Sequence, residues 1–111
     1  MEFLLMQYGE EQKMMAIPRE EAKHFHAAYV AYTQALKDAG VYVSNRGLKP
    51  TGASTTVRGT NVQDGPFAET KEQFAGFYLI DVADLDAALA WARRHPAAPY
   101  GAVEVRPVWG Q

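Results

Sequence analysis

The chain has 111 residues, 48% apolar and 12% aromatic, which suits one domain with a real core and is too small for two. Its 11 basic and 13 acidic residues are interspersed to a formal charge of −2, which argues against nucleic acid or an anionic membrane surface as a partner. With no cysteine, disulfides, thiol catalysis and thiolate metal sites are excluded. The opening Glu2-Phe3-Leu4-Leu5-Met6 has neither a basic region nor a cleavage-like site, and no apolar run approaches membrane-spanning length, so the expected location is cytoplasmic.

Phe3 to Tyr8 reads as a first strand, with Phe3 and Leu5 on one face and Leu4, Met6 and Tyr8 on the other. Both faces are mostly apolar. Gly9 to Ile17 is a polar connection. Pro18 suits the first turn of a helix, and Glu20 and Glu21 follow near the positive end of its dipole. Phe25, Tyr29, Tyr32, Leu36 and Ala39 recur at steps of four and three, forming one buried stripe before the stop at Gly40. His24 and His26 flank that stripe about 200° apart, so they cannot chelate one metal ion together. His26, at the stripe's edge, is a candidate general acid or base, whereas His24 faces water.

Val41 to Ser44 is a second strand, and Asn45 to Gly52 is an irregular loop whose Arg46 and Lys49 make the chain's main basic spot. Ser54 to Arg58 alternates as a strand, Gly59 to Asn61 turns, and Val62 to Asp64 returns. An Asp at a turn usually accepts from the backbone N–H two residues on, but that residue is Pro66, which has none. The Asp64 carboxylate therefore needs another donor, and the Phe67 N–H is the nearest local one. Thr70 and Gln73 fit a capping box over a single helical turn, crowded by Glu69, Lys71 and Glu72, with Phe67 plugging the core beneath.

Phe77 to Ile80 then forms a strand apolar on both faces. Asp81 to Asp84 starts a second helix, in which Leu85, Ala88, Leu89 and Ala92 share a face and which Pro96 ends. Trp91 and His95 stack on one side of it. A last strand runs from Ala102 to Val108. Strand–helix–strand occurs twice, which predicts an α+β, ferredoxin-like βαββαβ fold with an extra hairpin strand. Its antiparallel sheet would carry two helices on one face. The other face, with Leu4 and Met6, then needs cover, and a homodimer joined through it is expected.

Asp64-Gly65-Pro66-Phe67-Ala68-Glu69-Thr70-Lys71-Glu72-Gln73, followed by Gly76-Phe77-Tyr78-Leu79-Ile80-Asp81, resembles the signature of the DGPF-type YCII-related proteins. The resemblance extends less strongly through Met1 to Tyr8, the helix ending at Gly40, and Val103 to Pro107. It implies a ferredoxin-like fold, assembly as a dimeric α/β barrel, and no established reaction. The wider family is associated with a His on the first helix and an Asp just before a proline after the second. Here those places hold Tyr29 and His95, so neither role carries over. A swapped arrangement, with His95 as base and Tyr29 as its hydrogen-bonding partner, takes their place. Asp64 is the natural replacement acid if the DGPF branch has its own polar centre.

The sequence thus nominates Asp64, His95 and His26 as catalytic candidates and Tyr29, Phe67, Glu69 and Lys71 as ligand-binding ones. Together they would serve a cleft beside the Asp64 turn that takes a small polar or aromatic molecule and is open to cofactor-free acid–base chemistry. Phosphate loops, nucleophile elbows and metal spacings are absent from the sequence, so neither cofactor nor metal is expected. The rival reading, drawn from the resemblance, is a non-catalytic regulatory module associated with an extracytoplasmic-function sigma factor.

Overall fold

The computed structural model describes residues 1–111. Strand β1 (Glu2–Gly9) is followed by a short helix α1 (Glu11–Met15) and the long helix α2 (Arg19–Asp38). Strand β2 (Tyr42–Gly47) leads through a 3-10 turn (Thr51–Ala53) into the hairpin β3 (Thr55–Arg58) and β4 (Asn61–Asp64). Strand β5 (Gln73–Asp81), helix α3 (Leu85–Arg93) and strand β6 (Ala102–Pro107) complete the chain.

Pro18 and the first-turn acids start α2 as its sequence dictates. Its end is fixed by Gly40, whose φ of 73° lets the Gly40 N–H reach Lys37 O and the Val41 N–H reach Leu36 O, at 3.0 and 3.1 Å. Tyr32 and Leu36 from its stripe are buried against Phe3 and Leu5 of β1, Tyr78 and Ile80 of β5, and Ala88 and Ala92 of α3. Asp84 caps α3 by accepting from the Ala87 N–H at 2.9 Å.

The main sheet has the antiparallel order β2-β5-β1-β6. With both long helices on one face, this is a ferredoxin-like α+β fold. Leu4 lies opposite Leu79 and Met6 opposite Phe77 in the β1–β5 ladder. These four side chains form the face turned away from the helices and are half-buried. The result is a slab measuring 42 × 41 × 18 Å, thin because nothing is layered on that second face. No helix is long and apolar enough to cross a membrane.

Several local expectations change. The polar connection after β1 contains α1, which is pinned at its first residue. The Glu11 N–H donates to Gln73 Oε1 at 3.0 Å, and the Glu11 carboxylate accepts from the Thr51 N–H, also at 3.0 Å. β2 continues through Arg46 to Gly47, beyond the expected end at Ser44. The extra hairpin forms a separate two-stranded sheet and does not extend the main one. Thr70 and Gln73 make no helical turn, because Gln73 is already in the ladder opposite Gly9. Their contact runs the other way, from Gln73 Nε2 to Thr70 O at 2.6 Å. Phe67 plugs no core: it is 69% exposed, since the hairpin stands off the sheet, and the Arg58 guanidinium lies 5.0 Å from its ring centre.

Candidate functional site

One stripe of α2 faces the end of the sheet where β2 meets β5, and between them lies a cleft of about 550 Å³. The helix supplies Tyr29, Thr33 and Lys37 at successive turns, with His26, Val30 and Gln34 beside them. The sheet supplies Gln7, Asn45 and Tyr78. Gly47 and Gly76 lie opposite each other in the ladder, so no side chain fills the space between them and the helix. Gly76 is needed there, since a Cβ at that position would come 2.6 Å from Arg46 O.

The polar floor of the cleft is internally bonded. Tyr29 Oη donates to Gln7 Oε1 at 2.7 Å. Thr33 Oγ1 donates to Tyr29 O at 2.8 Å and lies 2.6 Å from Tyr78 Oη. A threonine hydroxyl has one proton, so the Tyr78 phenol is the donor in that second contact. Both phenol protons are therefore committed, and both phenol oxygens retain acceptor capacity.

Behind this floor sits His95, 1% exposed, ringed by Tyr29, Tyr32 and Tyr78 at centroid distances of 5.4–5.7 Å. The backbone turn at Pro96 aims the Ala97 N–H at His95 Nδ1, 3.0 Å away. The imidazole proton must then sit on Nε2, and that N–H finds no acceptor. Burial lowers the His95 pKa to about 4, so the ring is neutral at physiological pH. Burial also raises Tyr29 to about 12, with the Tyr78 phenol adding to the shift and the Gln7 hydrogen bond opposing it. Tyr78 is likewise raised by burial, against the Thr33 hydrogen bond. The floor is thus uncharged.

The residues nominated from sequence fall into two groups. Tyr29 and His95 come together as an edge-on ring pair at 5.6 Å, but no hydrogen bond joins them: the Tyr29 proton goes to Gln7 and His95 Nδ1 to Ala97. His26 is exposed and lines the same cleft. Asp64, Phe67, Glu69 and Lys71 are all exposed on the hairpin side. The Asp64 turn is held by its neighbours, with the Gly65 N–H donating to Ser54 O at 2.7 Å and Thr56 Oγ1 donating to Gly65 O at 2.8 Å. The Asp64 carboxylate accepts nothing, the Phe67 N–H included. Phe67 lines a separate open groove with Tyr8, Pro50 and Phe74, whereas Asp64, Glu69 and Lys71 line none of the four main cavities. No three His, Asp or Glu side chains converge as metal ligands.

Sequence reasoning missed Gln7, Thr33 and Tyr78. Gln7 carried a legible signal, as a polar residue continuing the Phe3 and Leu5 face of an otherwise apolar strand. Tyr78 was hidden in a run that is apolar on both faces.

The fold and site define a ferredoxin-like α+β protein with a hydroxyl-rich cleft between its first long helix and its sheet. The chain belongs to the family of the YCII-related domain, whose model matches residues 1–110. It is similar to an uncharacterized protein of Rhizobium meliloti (strain 1021), at 40% identity over 114 residues covering 96% of this chain and 90% of that protein.

Proposed function

We propose that this chain is a small-molecule-binding member of the YCII-related family that works as a homodimer, with its ligand in the cleft between α2 and the β2–β5 edge. The observation that carries this reading is the joined Gln7–Tyr29 and Thr33–Tyr78 pairs. They hold hydrogen-bonding capacity, fixed in direction, on the floor of a cavity sized for a small molecule. We seat the ligand there and not beside Asp64, because the Asp64 carboxylate stands in water and lines none of the four main cavities. Binding is favoured over acid–base chemistry: the phenols keep their protons at neutral pH, and His95 is neutral and walled in by rings. His26 is the one imidazole lining the cleft that water reaches.

The half-buried Leu4, Met6, Phe77 and Leu79 face supports the dimer, since a second copy would close two slabs into a barrel-like pair. Within the family we place the chain in the DGPF-type branch on Asp64, Gly65, Pro66 and Phe67.

The test is a metabolite panel read by ligand-induced shifts in melting temperature, on the parent and on Tyr29→Phe. The variant removes one hydroxyl and leaves Gln7 Oε1 without its donor. It is expected to fold, at a stability cost of about 1 kcal/mol, and to lose most of the shift given by any ligand found. A ligand that binds Tyr29→Phe as well as the parent would place its site elsewhere.

A further inference from the structure

Two features at opposite ends of β1 suit each other, although a single chain cannot bring them together. At the Glu2 end stands Trp109, 99% exposed. The backbone that carries it is held in place. The Val108 N–H donates to Glu2 O at 3.1 Å. Gly110, at a φ of 89°, turns the chain so that Gln111 Nε2 donates to Glu2 O at 2.8 Å and to Val108 O at 2.7 Å. The Glu2 N–H donates to Gln111 Oε1 in return. A fully exposed indole on a fixed backbone is the kind of side chain that anchors interfaces.

The matching recess is at the Tyr8 end. An open groove of about 760 Å³ runs there between the hairpin and the sheet, with Tyr8 and Phe74 on the sheet side and Pro66 and Phe67 from the turn after the hairpin. Tyr8 follows Leu4 and Met6 by alternation along β1 and stands opposite Phe74 in the ladder, with ring centres 5.6 Å apart. Both therefore belong to the sheet face turned away from the helices. Aromatic rings and prolines are apt surfaces for an indole. The eight residues of β1 put the two ends roughly 25 Å apart, so Trp109 cannot reach the groove of its own chain.

A second copy removes that distance. Two sheets stacked on their uncovered faces are related by a two-fold axis lying between them, and an axis running across the strands reverses the second β1. The Glu2 end of each copy then lies over the Tyr8 end of the other, and the contact is made twice. The area calls for such an addition. Four strands about 4.8 Å apart and about six residues deep give a footprint of roughly 400 Å², short of the about 800 Å² that each partner contributes to a stable interface.

Resting on the homodimer proposed above, we infer that Trp109 is the anchor of that dimer. It seats in the groove of a second copy of this chain, between the hairpin and the Tyr8–Phe74 pair.

The test follows dissociation on dilution by light scattering and by tryptophan emission. Trp91→Phe leaves Trp109 as the only indole. The expected result is an emission that shifts to the red as the dimer dissociates. In the parent, Trp109→Ser and Phe67→Ser, both exposed in the single chain, each weaken the dimer about tenfold or more. Together they weaken it by less than the product of the two, because they remove one shared contact. A dimer in which Trp109 emission never changes, or which Trp109→Ser forms at parental affinity, refutes the anchor and leaves the dimer standing on its sheet face. Effects of Trp109→Ser and Phe67→Ser that simply multiply also refute it, since the indole then rests on another surface. A parent that is monomeric at every concentration removes the anchor and the homodimer together.

Discussion

His95 makes stability depend on pH between its folded and unfolded pKa values. In the folded protein burial lowers its pKa from 6.5 to about 4, so between those values the unfolded chain binds a proton that the folded one refuses. Stability therefore rises with pH through this window. It is fully present above pH 6.5 and is lost as pH falls toward 4. At pH 5 the unfolded imidazole is mostly protonated and the folded one mostly neutral, a difference of about 1.5 pK units, or roughly 2 kcal/mol. For a chain of this size that lowers the melting temperature by about 8 °C. The measurement is thermal or urea unfolding at pH 7.5 and pH 5 on the parent and on His95→Asn. Asparagine keeps an acceptor for the Ala97 N–H and cannot titrate. The variant is expected to start about 1–3 kcal/mol less stable, because of the smaller side chain, but to lose far less between the two pH values. Equal losses in parent and variant would refute the argument, because the pH dependence would then belong to other groups.

Gly76→Ala should cost more than Gly65→Ala. The first drives a Cβ to 2.6 Å from Arg46 O inside the ladder, costing about 1–3 kcal/mol or more, whereas the second puts alanine at a φ of 96° in open space, costing about 1 kcal/mol or more; urea midpoints rank them. Asp64→Asn should leave the melting temperature unchanged within about 0.5 kcal/mol of stability, because the carboxylate makes no hydrogen bond in the chain; a clear loss would mean that it caps the turn after all. Light scattering should give a dimer mass at micromolar concentration, and Leu4→Asp/Leu79→Asp should give a monomer. A monomeric parent would remove the case for a covered second face.

What the sequence made legible follows from how local each signal is. The stripe from Phe25 to Leu36, the proline before α2 and the glycine after it lie on one element, so periodicity and end signals located that helix. The strand at Phe77 to Ile80 was equally plain. The turn after Asp64 failed because whether Phe67 has a core beneath it depends on where the hairpin stands, and residues 61 to 73 carry no information about that. The capping-box pattern of Thr70 and Gln73 lost to strand pairing with Gly9, a partner more than sixty positions away. The cleft is legible only in fragments: Tyr29 and His95 through family positions, Gln7 through alternation along β1. Gln7, Thr33 and Tyr78 belong to different elements and come together only after α2 has packed on the sheet.

The sheet order also governs how the chain is made. β1 is synthesised early, yet its first neighbour, β5, begins at Gln73 and its second, β6, ends at Pro107. At ~5–20 residues per second, the interval from Gly9 to Gln73 lasts roughly 3–13 s. For that time Phe3, Leu4, Leu5 and Met6 have both strand edges open and no sheet to join. α2 and the hairpin lie within the emerging segment and can form from local contacts, whereas the central strand must wait. This apolar strand is thus the last to be enclosed on both sides, which makes it the stretch for a holding chaperone to cover during synthesis.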